Sequence, residues 1–179
     1  MSDTALLVID VQESFKHRPY WSEQDFPSFQ TKLLNLIHTA RERGWAIVYI
    51  LHEEDRGAFS QASGFVRLMD FLQPKANEPI FTKRVHNALT ESGLQAWLHD
   101  QSISQLKISG IRTEQCCETT TRVASDLGYS VDFVLDATLT FAMQHPLNQS
   151  LVSPEQIKAH TAMVLKDRFA QITNTADYT

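Results

Sequence analysis

Three side chains with acidic, cationic and nucleophilic chemistry lie far apart in this sequence, each beside a short apolar segment. Asp10 follows Leu-Leu-Val-Ile, Lys83 stands in Phe-Thr-Lys-Arg-Val-His, and Cys116 comes six residues after Gly110. A carboxylate, an ammonium group and a thiol in one crevice form a base, a stabilising cation and a nucleophile. This combination predicts covalent catalysis through the sulfur of Cys116.

Each of the three residues also has an ordinary structural interpretation. Asp10 could cap a turn, Lys83 could be a solvated surface lysine, and Cys116 could be a buried, inert thiol. Cys117 competes for the role of nucleophile, but neighbouring helical side chains point about 100° apart, so at most one of the two faces a crevice. The local sequence leaves these alternatives open.

The segment around Cys116 joins a predicted strand to a predicted helix. A thiol at a helix N-terminus is surrounded by free backbone N–H groups, which favour the thiolate. We therefore expect a thiol-specific reagent to label Cys116 well below pH 8, and we expect Asp10→Asn to abolish that labelling.

Alternating apolar and amphipathic segments predict the elements that position these residues. The alternation of strands and helices with short connections is typical of an α/β fold with a parallel sheet. Ligands of such sheets bind beyond the carboxyl ends of the strands, which directs attention to residues 10–12, 52–55, 110–117 and Asp136.

The predicted strands are 4–9, 46–51, 79–82, 106–109, 129–135 and 169–173. Two helices are predicted for residues 29–43, which Gly44 ends, and residues 65–72. A third helix is capped by Ser92, and a fourth begins at Thr119 with Val123, Ala124 and Leu127 on its buried face. A fifth helix is capped by Ser153 and ends near Leu165.

Composition and charge exclude several classes of protein. The 179 residues are 42% hydrophobic and 21% charged, which predicts one globular domain over residues 1–179. The net charge of −5, with no cluster of Lys and Arg, argues against nucleic acid as a partner. No apolar run approaches the length of a membrane span, and the Met-Ser-Asp start does not resemble a secretory signal. The two cysteines are adjacent and form no disulfide framework, so we expect a cytoplasmic protein.

The order of four motifs resembles the isochorismatase-like cysteine hydrolases, a family with nicotinamidases, N-carbamoylsarcosine amidohydrolases and isochorismatases. These motifs are L-L-V-I-D-V-Q-x-x-F, K-x-x-x-N-A-L, S-G-I-R-T-E-Q-C-C-E-T-T and D-A, and the resemblance extends from about Thr4 to Thr175. It implies a three-layer α/β/α fold with a mostly parallel central sheet of five to six strands.

The resemblance also implies residue roles. Asp10, Lys83 and Cys116 correspond to the catalytic triad, and the peptide bond Ile111–Arg112 corresponds to a non-proline cis peptide. The backbone N–H groups of Arg112 and Cys116 would form the oxyanion hole. Asp10 would take the thiol proton, pass it to the leaving amine, and later activate water. Family members that cleave a vinyl ether lack the nucleophile, so its presence favours the hydrolysis of a C–N bond through a thioester.

The loop after the second predicted strand departs from the nicotinamidases, which hold a metal there with an Asp and histidines. Here it reads L-H-E-E-D-R-G, in which His52 and Glu54 have no obvious third partner. The sequence therefore predicts neither a metal nor another cofactor. Gln12, Phe15 and His52 are the predicted substrate-binding residues.

The sequence does not identify the substrate, which we expect to be a small molecule selected by the loops 13–27, 53–64 and 141–152. The resemblance to this family and the apolar surface of such α/β domains together predict a homo-oligomer, either a dimer or a tetramer. Two other functions stay open: a catalytically silent binding or assembly protein, and a redox role for Cys116 and Cys117. The absence of a C-x-x-C motif disfavours the redox role.

Overall fold

A computed structural model describes residues 2–179, and its central feature is a sheet of six parallel strands. The six strands of this sheet are β1 (Thr4–Ile9), β2 (Ala46–His52), β3 (Ile80–Lys83), β4 (Gln105–Ile111), β5 (Ser130–Leu139) and β8 (Gln171–Thr173). Two further short strands, β6 (Met143–Gln144) and β7 (Leu151–Val152), lie outside it. The helices are α1 (Phe26–Glu42), α2 (Leu94–Asp100), α3 (Glu118–Asp126) and α4 (Pro154–Leu165). The sheet order is β3-β2-β1-β4-β5-β8, and β6 and β7 pair separately as an antiparallel hairpin. This confirms the predicted α/β fold and its number of strands.

Strand β1 is buried on both faces because apolar cores lie on the two sides of the sheet. Leu6 and Val8 belong to the core that contains Leu33 of α1, whereas Leu7 and Ile9 belong to a second core with residues of α2, α3 and α4. Successive strand side chains point to opposite faces, so an uninterrupted apolar run can fill both cores. The result is a layer of helix on each side of the sheet.

Helix α1 begins three residues earlier than the apolar periodicity predicts. Pro27 lies in its first turn, where a missing N–H costs no intrahelical hydrogen bond. Gly44 follows the helix with φ of +66°, the left-handed conformation predicted for a helix stop. Strand β5 also extends beyond its predicted end at Leu135, so Asp136 lies within the strand.

The helix predicted for residues 65–72 is absent, and that prediction was wrong. The backbone of residues 67–69 pairs with the loop that follows β1, and a turn follows: Glu13 N donates to Arg67 O at 3.0 Å, and Met69 N donates to Val11 O at 3.1 Å. These bonds between segments replace those of a helix, while Met69 is still buried in the core. Local periodicity does not report such long-range pairing.

The predicted helix caps have mixed outcomes. Ser153 forms the predicted capping box of α4: its Oγ accepts from Gln156 N at 3.2 Å, and Gln156 Oε1 accepts from Ser153 N at 2.9 Å. The cap of α2 is Gly93, not Ser92, although Ser92 Oγ accepts from Leu94 N. Leu127, expected on the buried face of α3, is 46% exposed at its end.

The helices of the described chain, residues 2–179, include none that is both long and apolar enough to cross a membrane.

The carboxyl ends of four strands meet at one edge of the sheet. In the register of the sheet, Ile9 pairs with both Ile50 and Gly110, and His52 pairs with Lys83. Parallel strands that share a register bring the residues after them to a common edge. The segments that carry Asp10, His52, Lys83 and Cys116 therefore converge there.

Candidate active site

The ammonium group of Lys83 lies at the centre of the cluster formed by the predicted residues. Its Nζ is 2.9 Å from Asp10 Oδ2, 3.4 Å from Cys116 Sγ and 3.0 Å from His52 Nδ1. A protonated lysine has three N–H donors, and each has an acceptor here. The structure thus brings together four stretches of chain that are distant in the sequence.

Lys83 stays protonated although it is almost fully buried. Burial by itself would lower its pKa, but the charge of Asp10 and the sulfur of Cys116 outweigh burial, and the pKa is raised above its ordinary value. Lysine and aspartate are rarely enclosed unless paired. The buried pair therefore provides a fixed positive charge next to the sulfur.

Asp10 is positioned by an unusual backbone conformation directly after β1. Its φ is +53°, which aspartate tolerates better than most residues, and its N–H donates to Ile50 O at 2.9 Å. The side chain is fully buried, and within residues 2–179 neither carboxylate oxygen receives an aligned hydrogen bond besides its ion pair with Lys83. Asp10 thus retains acceptor capacity for the proton of a neighbouring thiol.

The surroundings of Cys116 favour the protonated thiol, whereas the helix N-terminus was expected to favour the thiolate. Cys116 lies in a single π-helical turn (113–117) before α3 and is 7% exposed. Burial raises the pKa of this thiol, the charge of Asp10 raises it further, and Lys83 only partly opposes them. Burial and the charge of Asp10 therefore oppose the preference for the thiolate that the helix N-terminus predicts.

Cys117 has no exposed surface at all, and burial raises its pKa well above the ordinary value. A sulfur so completely enclosed in the core is poorly placed to meet a substrate. Of the two adjacent cysteines, Cys116 is thus the one with access to solvent.

His52 accepts a hydrogen bond from Lys83 and is neutral. Burial, followed by the charge of Lys83, lowers the pKa of His52 to about 4. With Nδ1 as the acceptor from Lys83, the ring proton lies on Nε2, which is 3.5 Å from Glu54 Oε1. His52 thereby holds the ammonium group in place.

Gln12 is hydrogen-bonded to the backbone of His52, and Phe15 packs against Phe59, whose ring lies beside that of His52. Gln12 Oε1 accepts from His52 N at 2.7 Å, and its Nε2 donates to His52 O and to Ser14 Oγ. Phe15 is buried and packs edge-on against Phe59, 5.0 Å between ring centroids. Since the amide group of Gln12 is fully engaged within the protein, this geometry favours positioning roles over direct substrate contact.

His52, the last residue of β2, and Glu54 beyond it do not belong to a set of metal ligands among the described residues. Nδ1 of His52 is taken by Lys83, which leaves one ring nitrogen facing Glu54. Across residues 2–179 there is no group of three His, Cys, Asp or Glu side chains arranged to hold a metal ion.

The Ile111–Arg112 peptide bond is cis, at the position expected from the resemblance. The side chain of Arg112 turns away into the protein: its guanidinium lies 4.7 Å from the ring centroid of Tyr20, and its Nη2 is 2.9 Å from Glu114 Oε1. The sequence interpretation did not anticipate this buried ion pair next to Cys116.

Asp136, which was predicted to follow the carboxyl end of a strand, lies away from the cluster around Lys83. Its carboxylate accepts hydrogen bonds from Thr175 N and Oγ1, both at 2.8 Å, and it pairs with Lys32 at 3.4 Å. These contacts fasten the C-terminal segment to β5 and α1, a structural role. The prediction failed because β5 runs three residues past Asp136, to Leu139.

His86 is a functional candidate that the sequence interpretation missed. Its Nδ1 is 3.8 Å from Cys116 Sγ, and its ring lies parallel to that of His52 at 6.1 Å between centroids. Unlike Asp10, Lys83 and Cys116, which are buried, His86 is exposed. A signal was available, because His86 follows the carboxyl end of β3 by three residues, within the region where such sheets bind ligands.

Comparison with known proteins identifies the family. The family model for the isochorismatase domain matches residues 4–177, so the chain belongs to the isochorismatase family and is an isochorismatase-family hydrolase.

Individual relatives agree with this membership. The isochorismatase family protein YrdC of Bacillus subtilis (strain 168) is 28% identical over 173 residues, 96% of this chain and 91% of that protein. Nicotinamidase 3 of Arabidopsis thaliana is 37% identical over 152 residues, 76% of this chain and 73% of that enzyme. A cysteine hydrolase from Pseudomonas syringae pv. phaseolicola 1448A superposes with a TM-score of 0.88 over 99% of this chain and 92% of that one; its 20% identity supports the fold alone.

Proposed function

We propose that this protein is a cysteine hydrolase that cleaves a C–N bond of a small, amide-like, non-peptide substrate through a thioester on Cys116. The observation that carries this proposal is the position of Lys83 Nζ, 2.9 Å from Asp10 and 3.4 Å from the sulfur, among buried side chains. A buried carboxylate and ammonium group next to a thiol suit proton removal followed by stabilisation of the resulting anion.

The first half of the proposed reaction forms the thioester. Asp10 takes the proton of Cys116 as the sulfur attacks the carbonyl carbon, and Lys83 stabilises the developing negative charge on sulfur. Asp10 then gives the proton to the departing amine, so that the C–N bond breaks and the carboxylate is restored. Because the pKa of the thiol is raised, we expect proton transfer to Asp10 to be coupled to attack.

The oxyanion of the tetrahedral intermediate requires donors. We assign this role to the backbone N–H groups of Arg112 and Cys116, which lie at the cis peptide and in the turn that carries the nucleophile. Loss of one such donor typically lowers the rate about 10²–10³-fold.

The size of the substrate follows from the enclosure of the sulfur. Cys116 is 7% exposed, and its partners Lys83 and Asp10 are 1% and 0% exposed, which suits a small acyl group better than a folded polypeptide. Nicotinamidase 3, by its name, acts on a small amide, and its similarity supports the same bond type here. The proposed reaction consumes only water and uses no cofactor. Cys116 and Cys117 are both free thiols, which is consistent with the proposed cytoplasmic location.

A hydrolysis screen with matched cysteine variants tests this function. Purified wild-type protein, Cys116→Ala and Cys117→Ala are incubated with a panel of small amides, ureas and carbamoyl compounds, and release of amine or ammonia is measured. We expect Cys116→Ala to reduce turnover to background and Cys117→Ala to keep most of it. Turnover that survives in Cys116→Ala and is lost in Cys117→Ala would overturn the choice of nucleophile. Inactivity of the wild type on the whole panel would favour the catalytically silent binding protein.

A further inference from the structure

The turn that carries Cys116 departs from α-helical hydrogen bonding at the nucleophile. In an α-helix, the N–H of Cys116 would donate to the carbonyl of Arg112, four residues earlier. Here Arg112 O accepts instead from Gln115 N and from Cys117 N, both at 3.2 Å. This carbonyl thus binds the N–H groups on either side of Cys116 and passes over the N–H between them, which suits a donor that serves an oxyanion.

A buried ion pair ties this turn to the residue before it. Glu114 is the second residue of the turn Thr113–Cys117, and Arg112 directly precedes the turn. Arg112 Nη2 is 2.9 Å from Glu114 Oε1, and the two side chains are only 7% and 13% exposed. The pair therefore links the two parts of the backbone to which we assign the oxyanion donors, Arg112 N and Cys116 N.

Two aromatic rings support the guanidinium of Arg112. Its central carbon lies 4.7 Å from the ring centroid of Tyr20 and 5.8 Å from that of Phe141. The two rings pack against each other at 5.3 Å between centroids, and Phe141 is fully enclosed in the core. The cation of the pair is thus seated on side chains from the segments after β1 and β5.

Stability by itself is a poor explanation for this pair. Apart from their mutual contact, Nε and Nη2 of Arg112 and both carboxylate oxygens of Glu114 are buried without a hydrogen-bond partner in residues 2–179. Enclosing two charges is costly, and apolar residues of similar size often stabilise a fold as well or better. The pair is better explained by the position that it gives to the backbone next to Cys116.

We propose that Glu114 is a positioning residue of the oxyanion hole that acts through Arg112, an inference that rests on the proposed function. The carboxylate holds the guanidinium against Tyr20 and Phe141, which fixes the backbone at Arg112. The N–H of Arg112 is thereby held in place relative to the N–H of Cys116. The oxyanion of the tetrahedral intermediate then meets two donors that need no rearrangement during the attack.

Two reagents that react with the same sulfur separate the oxyanion hole from the nucleophile. p-Nitrophenyl acetate acylates Cys116 through a tetrahedral oxyanion, and stopped-flow absorbance follows the released p-nitrophenolate. Iodoacetamide alkylates the same sulfur by displacing iodide, which creates no oxyanion, and mass spectrometry follows the product. The ratio of the two rate constants at one pH cancels any change in the pKa of the sulfur or in the fraction of folded chains.

The key variant is Glu114→Gln, which keeps the size of the side chain and removes its charge. Loss of a whole donor typically lowers a rate about 10²–10³-fold, so we expect loss of its support to lower the ratio of acylation to alkylation about tenfold. Arg112→Met, which keeps the backbone N–H, should lower the ratio similarly. Arg112→Lys keeps the positive charge and should stay closer to the wild-type ratio.

Asp132→Asn is the matched control. Asp132 Oδ2 is 2.6 Å from Lys107 Nζ, and these side chains are 16% and 10% exposed, much like the pair of Glu114. Both residues lie near the start of their strands, β5 and β4, far from the carboxyl ends where the site forms. This variant should keep the wild-type ratio.

A double variant covers the case in which one unpaired charge prevents folding. Arg112→Met combined with Glu114→Gln leaves neither charge in the core, and we expect it to show the same low ratio. An unchanged ratio in Glu114→Gln or in the double variant, whether the two rates stay constant or fall together, would overturn the role of Glu114. A ratio lowered equally by Asp132→Asn would overturn it as well.

The Cys116→Ala variant distinguishes failure of this inference from failure of the proposed function. If the wild type releases p-nitrophenolate no faster than Cys116→Ala, no thioester forms, and the proposed function fails together with this inference. If release depends on Cys116 but the ratio does not depend on Glu114, only the role of Glu114 is refuted.

Discussion

A lysine enclosed by protein ordinarily loses its proton more easily, since burial favours the neutral amine. Lys83 instead has its pKa raised, because Asp10 and Cys116 outweigh the cost of burial. The same arrangement raises the pKa of the Cys116 thiol, mainly through burial and next through the charge of Asp10. At the scale of single residues, the site thus combines a buried ion pair with a thiol whose deprotonation is disfavoured.

The raised pKa of Cys116 determines how its alkylation depends on pH. Below the pKa of a thiol, its thiolate fraction rises about tenfold with each pH unit. We therefore expect the rate of modification by iodoacetamide, followed by mass spectrometry, to rise from pH 7 to pH 9.5 without a plateau. A plateau below pH 8 would show a resting thiolate instead and would restore the helix N-terminus as the dominant influence.

Two variants serve as controls for the alkylation measurement. Cys116→Ala should show no labelling, since Cys117 is fully buried. Lys83→Met removes the cation that lowers the pKa of the Cys116 thiol, so labelling should be slower than in the wild type at every pH in this range.

At the scale of elements, the site depends on a close approach of β1 and β4. Gly110 has φ of +127°, a conformation that side-chain-bearing residues rarely adopt, and a Cβ at this position would lie 2.0 Å from Ile9 O. Ile9 directly precedes Asp10, and Gly110 directly precedes the Ile111–Arg112 peptide. A glycine here lets the two strands present these segments side by side.

Substitution of Gly110 should therefore be costly. We expect Gly110→Ala to lower the free energy of unfolding, measured with urea, by more than about 2 kcal/mol, because strained backbone and a clash with a neighbouring strand act together. Gly128→Ala is the matched control, since Gly128 also has positive φ but a Cβ added there would meet nothing within 4 Å. If the two variants lose equal stability, the close approach of the strands is not the cause.

At the scale of the whole molecule, two cores enclose the sheet while several large apolar side chains remain outside them. Leu147 and Leu151, at the β6–β7 hairpin, are 89% and 71% exposed, and Met163 of α4 is 68% exposed. Exposed apolar side chains of this size are costly to leave in water when they form a patch, and such patches commonly mark protein interfaces. They are consistent with the homo-oligomer expected from the sequence.

The oligomeric state is a prediction that a mass measurement can test. We expect size-exclusion chromatography with light scattering to give a dimer or a tetramer of the 20.4 kDa chain. A monomer at micromolar concentration would contradict it. Asp10, Lys83 and Cys116 come from the same chain, so the proposed chemistry does not depend on the result.

The sequence by itself determined the class of fold, most strands and the three residues that could form a catalytic cluster. Strong apolar runs, such as the one before Asp10, specify buried strands because their burial outweighs any other local preference. The order of motifs around Lys83 and Cys116 pointed to the family, which the match over residues 4–177 shows.

Tertiary structure alone decided the properties that depend on contacts between distant segments. The non-helical course of residues 65–72 comes from pairing with the loop after β1, and the side chain of Gln12 is bonded to the backbone of His52. The raised pKa of Cys116 follows from its burial and from the charge of Asp10, which comes from a distant strand. Burial and charge pairing are sums over the whole neighbourhood of a residue, so no local pattern in the chain can report them.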